Sequence, residues 1–527
     1  MSSFQLSPEV VSAAAAVGAF GLLIKYVRRD SRLTPPGPRP LPIVGNLLSM
    51  PAQEQWLVYE EWSRRYGSDV VHMNVLGTDI LVVNSAQAAS ALFGHKSAIY
   101  SDRPRMPMLG ELYYTRYSEL LAQSDIISPS SIGLGWHFGF MPHGEDWRLH
   151  RKIFAQEFTS AAVEGYEDQE LKWTKIFLQN LIATPQNFTQ HIQHMASGLA
   201  LETSFGLQVQ PSGQPDPFIG AAKQAVEALT ETGLFGTYLV DFLPILKYVP
   251  AWFPFATFKR QASKWRISSD IAAHVPFDVL KKTMAIEDYV PSIGSKILLG
   301  DETGNETAVR QATAAMFANG SAAAVSTLTT FILAMRLYPD VQAKARKEID
   351  QVVSGRLPNF SDEASLPYVT AIVRELGRWN PVAPLAFPHK LSADDTYNGY
   401  HLKAGSVVFP NAWAILHDPV VYPEPHIFKP ERFLTADGKL NPAVKDPEAV
   451  WGFGRRICPG RKMATSSLFI TIASVLATFE ISPAVDENGR TIEPSGEYGS
   501  GMLRYPKPFE CSIKPRGPEA AALVSED

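Results

Sequence analysis

Trp451-Gly452-Phe453-Gly454-Arg455-Arg456-Ile457-Cys458-Pro459-Gly460 stands near the C-terminal end of the chain, directly before the apolar helical run Arg461–Phe479. One cysteine is presented between glycines and arginines where a helix begins. Positive neighbours and a helix N-terminus hold a thiol in its ionised, metal-ligating form. Gly454 and Gly460 have no Cβ, so the backbone there can approach a flat ligand closely. Arg456 can pair with a carboxylate carried by such a ligand. A lone cysteine in a loop is ordinarily a packing residue; the pattern around Cys458 is what argues for ligation.

These are the needs of a haem iron held by one cysteine thiolate, a ligand that pushes electron density onto the metal and favours O–O cleavage. The segment resembles the haem-binding signature of the cytochrome P450 family, Phe-x-x-Gly-x-Arg-x-Cys-x-Gly, with Trp451 at the usual Phe. Two further segments extend the resemblance. Glu375-Leu376-Gly377-Arg378 is similar to the ExxR of that family. It precedes Trp379-Asn380-Pro381 and then Pro425-His426-Ile427-Phe428-Lys429-Pro430-Glu431-Arg432-Phe433, which is similar to the PERF segment. The resemblance implies a buried network of Glu375, Arg378 and Arg432 supporting the haem side. Trp147-Arg148-Leu149-His150-Arg151 resembles WxxxR, which implies that Trp147 and Arg151 reach haem propionates from one helix face; the i, i+4 spacing permits it. His389 matches a position that contacts a propionate in related fungal enzymes.

The chain has 527 residues, 45% of them hydrophobic, which suffices for a large core. No low-complexity linker or repeat divides it after residue 50, so a single large domain over 43–527 is expected. The net charge of -5 with mixed signs carries no footprint for nucleic acid. Only two cysteines occur, Cys458 and Cys511, which excludes a disulfide scaffold and fits a reducing compartment. Periodicity predicts helices at Phe154–Glu157, Leu171–Ile182, Gln190–Thr203, Ala221–Thr232, Thr307–Tyr338, Pro339–Val353 and Leu366–Trp379. Short strands are predicted at Val70–Val75, Asp79–Val83, Val407–Pro410 and Phe509–Ile513. The fold class is mainly α with small β-sheets, and the resemblance implies the cytochrome P450 fold.

Val10–Ile24 is free of charge and rich in alanine, and Lys25, Arg28, Arg29 and Arg32 follow it. Pro8–Val27 reaches about 20 residues, enough to span a bilayer. A cleavable leader would carry its charge before the apolar run. The expectation is a lumenal stretch over 1–9, a single-pass anchor over 10–27, and a basic, proline-rich hinge over 28–42 with Pro35-Pro36-Gly37-Pro38-Arg39-Pro40-Leu41-Pro42. The positive-inside bias leaves the catalytic domain in the cytosol, on the endoplasmic reticulum membrane.

The long helix Thr307–Tyr338 breaks the pattern. Where the family reads Ala-Gly-x-Asp/Glu-Thr-Thr, this chain has Asn319-Gly320-Ser321-Ala322-Ala323-Ala324. Gly320 keeps the gap for oxygen, but Ala322 and Ala323 neither donate nor accept a proton. Three readings stay open: water with Ser321, Asn319 or a substrate hydroxyl replaces the relay; the reaction needs less proton delivery; or the chain is a haem-binding protein with weak or no turnover. Gly320 and Ser321 are the catalytic candidates. The segment Tyr113–Ile132 intervenes before Gly135-Trp136-His137-Phe138-Gly139-Phe140; it enlarges or covers the pocket, or it is untranslated sequence. Asn-x-Ser/Thr triplets at Asn187, Asn305, Asn319 and Asn359 are expected to stay unmodified on the cytosolic side.

What the resemblance implies is a basidiomycete-like microsomal monooxygenase of secondary metabolism. It would hydroxylate a small lipophilic substrate with O2 and contain haem b. NADPH would act indirectly, through NADPH–cytochrome P450 reductase docking at Arg455, Arg461 and Lys462.

Overall fold

The computed structural model describes residues 32–111, 134–254, 256–300 and 305–525. The expected anchor at 10–27 and the segment 113–132 lie outside them. In chain order the principal elements are α1 (Gln55–Tyr66), β1 (Val70–Val75), β2 (Thr78–Val83), α2 (Glu145–Glu157), α3 (Glu167–Ala183), α4 (Phe188–Phe205), α5 (Pro217–Thr232), α6 (Thr257–Ala285), α7 (Glu306–Leu337), α8 (Pro339–Val352), α9 (Pro367–Trp379), β3 (His389–Lys390), β4 (Val407–Pro410), α10 (Arg461–Thr478), β5 (Phe479–Pro483) and β6 (Cys511–Pro515).

The helix α7 is 32 residues long and is the axis of the molecule, with α2, α4, α5, α6 and α10 packed around it. Among the described residues it alone is long and apolar enough to cross a membrane, and 72% of its most apolar window is buried inside the protein. An all-round apolar helix of this kind is a core helix here. Asn305 starts it, its side chain accepting the Ala308 N–H. Asn359 likewise begins a short helix in a capping box with Asp362. N-cap chemistry thus accounts for asparagine in two of the Asn-x-Ser/Thr triplets.

The main sheet has the order β1-β2-β4-β3, with β2 and β4 parallel and the other neighbours antiparallel. Leu76 and Gly77 join β1 to β2 with φ of 49° and 87°. Positive φ at both central residues suits the turn to the right-handed twist of the hairpin. The proline-rich connector is docked on this sheet. The Pro36 carbonyl accepts from His72 N at 3.0 Å. A Cβ on Gly37 would lie 1.8 Å from the His72 carbonyl oxygen, so only glycine permits the approach.

Two differences from the sequence expectations have clear causes, and one helix defies a local rule. The helix predicted at Phe154–Glu157 is only the end of the longer α2. The helix predicted through Phe479 stops at Thr478, because Phe479 turns extended (φ -118°, ψ 156°) and pairs with Pro515 instead. The helix α6 carries Pro276 inside it, buried, where a proline reads in sequence as a stop. Its packing on α5 and α7 overrides that local signal.

Candidate active site

Cys458 sits on the loop before α10, where its N–H donates to the Trp451 carbonyl at 2.7 Å. Gly454 has a φ of 53°, and a Cβ there would fall 1.9 Å from the Phe93 carbonyl oxygen. Its glycine is required by the protein's own backbone. At Gly460 an added Cβ would meet nothing within 4 Å. Burial raises the thiol above its ordinary range, while the Gly460 N–H and the charges of Arg151 and Arg461 act against it. Burial thus works against the positive neighbours that the sequence places around this thiol. A bound metal cation is the kind of charge that deprotonates such a thiol outright.

Arg151 donates from Nη1 to the Ile457 carbonyl at 2.7 Å, bracing the cysteine loop from α2. Trp147, one turn earlier, is 4% exposed. Its ring lies 4.4 Å under the Arg456 guanidinium and 5.1 Å from His143. Arg456 donates from Nε to the Ser101 carbonyl and from Nη2 to the Met141 carbonyl. Its Nη1, the Trp147 Nε1 and the His143 Nε2 are buried with no partner among the described residues. Each such orphan costs roughly 1–3 kcal/mol, so nature rarely leaves several together. Burial, with Arg151 close by, pushes Arg456 down to about 9. Burial together with Arg103 and Arg456 holds His389 well below its ordinary value, so its ring is neutral. Its Nδ1 donates to the Tyr100 carbonyl at 2.6 Å. Unpartnered polar atoms amid an excess of positive charge, which Asp102 only partly offsets, call for an anion, and the carboxylates of a haem fit that demand. His143 and Arg103 belong to this cluster but carry no distinctive motif, and sequence reasoning missed them.

Behind α10, Glu375 and Arg378 are both fully buried on α9. Arg378 donates from Nε and Nη2 to the Glu375 carboxylate at 2.6 and 2.9 Å. Arg432 Nε and the Lys429 N–H reach Glu375 Oε1 at 3.0 and 2.8 Å. Remaining guanidinium donors end on the carbonyls of Leu416, Pro423, Glu424 and Ile427. Buried charge is tolerable when paired and fully hydrogen-bonded, as here.

On α7 the buried helix is interrupted where Gly320 and Ala323 are exposed and Asn319 and Ala324 partly so. Ala322 is 6% exposed and points into the core. Ser321 does not share the open face: it is 2% exposed and its hydroxyl donates back to the Ala318 carbonyl at 3.1 Å. Its hydroxyl is thus committed to the helix backbone, away from the open face. A Cβ on Gly320 would rest 3.5 Å from Ala200 on α4, an ordinary contact.

The family described as Cytochrome P450 matches residues 35–125 and 137–513, so the match runs into the intervening segment noted above and lapses only over 126–136. Cytochrome P450 monooxygenase 98 of Postia placenta is 40% identical over 522 residues, covering 96% of this chain and 96% of its own. Cytochrome P450 monooxygenase ple1 of Rhodocybe pseudopiperita is 38% identical, covering 97% and 94%. Tryptamine 4-monooxygenase of Psilocybe cyanescens is 37% identical, covering 94% and 96%. With a mainly helical fold built on one cysteine loop and a family match along nearly its whole length, this chain belongs to the cytochrome P450 family of monooxygenases.

Proposed function

We propose that this protein is a haem-thiolate monooxygenase that hydroxylates a small lipophilic secondary metabolite with O2, using electrons that originate in NADPH and arrive through a membrane-bound reductase. The observation that carries the reading is the set of unpartnered donors at Trp147, Arg456 and His143 beside Cys458. Cys458 would ligate the iron of haem b; Trp147 and Arg456 would hold its carboxylates, with His389 alongside. Arg151 would act from α2, keeping Ile457 and Cys458 in place. Bound there, the haem supplies oxygen activation; the protein supplies the thiolate, the anion site and a dry pocket. Trp136, Phe138, Met316, Leu385 and Leu503 form one apolar cluster with Ala322, which suits a lipophilic substrate. Arg455 and Lys462 are exposed near the cysteine loop, a cationic rim for an acidic reductase face. An anchor over 10–27 would place the protein on the endoplasmic reticulum membrane with this domain in the cytosol.

A second reading, haem binding with little turnover, is favoured by the methyl groups at Ala322 and Ala323. Expression in microsomes with a reductase, followed by a panel of terpenoid, aromatic and fatty acyl substrates, separates the two. Product with NADPH consumption supports the monooxygenase; a thiolate spectrum with no product from any class supports the second reading. Protease added to the sealed microsomes is expected to digest the domain, and full protection would contradict the cytosolic orientation.

A further inference from the structure

With Ala322 and Ala323 inert, the polar side chains near the open face of α7 can be taken one at a time. Ser321 is turned inward. Thr327 donates to the Ala323 carbonyl at 3.0 Å. Tyr505 directs its hydroxyl at the Ala322 carbonyl at 3.4 Å. Asn319 differs. It shares a face with Ala323, four residues on. Its Oδ1 lies 3.0 Å from the Nε2 of His137, a residue 1% exposed on the stretch that precedes α2.

The proton positions in that pair follow from its surroundings. The Gly139 N–H donates to His137 Nδ1 at 3.1 Å, so Nδ1 bears no proton. Burial holds His137 below its ordinary value, with the Arg103 charge adding to it and the Asn319 bond opposing. The neutral ring therefore carries its proton on Nε2 and donates it to Asn319. That bond fixes the carboxamide with Oδ1 on His137 and the NH2 turned away. Asn319 is partly exposed, and its Nδ2 has no hydrogen bond among the described residues. The ring is itself gripped. A Cβ on Gly139 would lie 3.0 Å from His137 Cε1 and from Phe387, and Arg103 Nε donates to the Gly139 carbonyl at 2.7 Å.

We propose that Asn319, oriented by His137, is the hydrogen-bond donor on the oxygen-binding side of the pocket, standing in for the acid and alcohol missing at Ala322 and Ala323. His137 is a positioning residue in this scheme: it acts only through the carboxamide. The inference rests on the haem-thiolate reading above.

The C–O stretching frequency of the reduced carbon monoxide complex tests it without turnover, because a donor near the distal oxygen lowers that frequency. Asn319→Ala introduces the residue usual in the family, so folding is expected to survive. It should leave the thiolate Soret band in place and raise the C–O frequency. His137→Phe should raise or broaden the same band, and the double variant should move it no further than Asn319→Ala alone. With a turned-over substrate, product per NADPH should fall in each, because a positioned proton donor is lost. Asn319→Ser, which keeps a small donor, should recover part of the shift. A C–O frequency indifferent to Asn319→Ala overturns the inference while leaving the haem-thiolate reading intact. A double variant that shifts further than the single overturns the role of His137. A native protein with no thiolate band removes both readings together.

Discussion

The two sides of the proposed haem site are built by different means. On the cysteine side, the loop Trp451–Gly460, the α9 pair Glu375–Arg378 and the α2 tryptophan come from segments dense in charge and glycine. Their partners are mostly backbone carbonyls and each other. On the α7 side, the segment Asn319–Ala324 offers one uncommitted amide, and what orients it is a histidine 182 positions away in the chain. A polar network built from many mutually dependent groups tolerates little change, whereas a face of methyls and one amide can be altered without unfolding the protein. That contrast sets the expected order of effects.

The largest should come from Cys458→Ala. Loss of the thiolate Soret band in the reduced carbon monoxide complex, and of all activity, is expected. The other cysteine cannot substitute: burial pushes Cys511 up to about 12, and it stands on β6 against β5. A normal spectrum in the variant would break the assignment of the cysteine side.

Next is Glu375→Gln, which leaves Arg378 and Arg432 buried without their anion. A loss of about 3–5 kcal/mol is expected for an uncompensated buried charge. It should appear as a collapse in expression and haem content, read by chemical denaturation and the haem-to-protein ratio. If the variant is as stable as the native protein, the network does not hold the cysteine side together.

A pH measurement probes the packing behind α10. Glu170 on α3 is 1% exposed, with Ser466 of α10 donating to it at 2.6 Å. Burial raises its carboxyl to about 8 from an ordinary 4.5. The folded state keeps this proton between those values while the unfolded chain has released it, so stability falls as pH rises through that window. The slope has an upper bound of about 1.4 kcal/mol per pH unit. Glu170→Gln should flatten it in denaturation curves taken from pH 5 to pH 8, and an unchanged slope would show the carboxyl ionised at neutral pH.

The α7 side should respond more mildly, and unequally at adjacent positions. Ala323→Thr adds a hydroxyl on the open face and is expected to leave stability within about 0.5 kcal/mol. Ala322→Asp puts a carboxylate into the apolar core and should cost about 1–3 kcal/mol. Thermal denaturation of the two single variants reads the difference. If restoring the pair limits peroxide loss, the double variant should raise product per NADPH above the native value. Equal stability of the single variants would mean that Ala322 and Ala323 do not differ in burial.

The smallest effect on the cysteine side belongs to Trp147→Phe, which keeps an aromatic ring under Arg456 while removing the Nε1 donor and part of the indole. Haem transfer to an apo-acceptor should accelerate about ten-fold, the equivalent of ~1.4 kcal/mol for one lost hydrogen bond. No change in rate would take Trp147 out of the anion site.

How far each side is legible in sequence follows from the same contrast. Glycine at 454, arginine at 378 and the spacing of Trp147 to Arg151 are local necessities: a positive φ, a bidentate fork, one helical turn. Local necessities leave a residue-by-residue trace, and the strands at Val70–Val75 and Val407–Pro410 are legible for the same reason. Pro276 shows the limit, since nothing local says that α5 and α7 will hold a helix straight through it. Ser321 shows it more sharply. Its side chain is chemically suited to a proton relay, and only the rotation of α7 against its neighbours turns that hydroxyl inward.

By itself, then, the sequence determined the mainly helical class and the glycine- and arginine-rich cysteine loop, because each rests on short-range chemistry that few residue types can satisfy, and its family resemblance implied the charged network of Glu375, Arg378 and Arg432. The tertiary structure alone decided which face of α7 is open, that the Ser321 hydroxyl turns back onto the helix, and that His137 meets Asn319. Those outcomes depend on how distant segments pack, and packing is a sum over contacts that no single stretch of sequence contains.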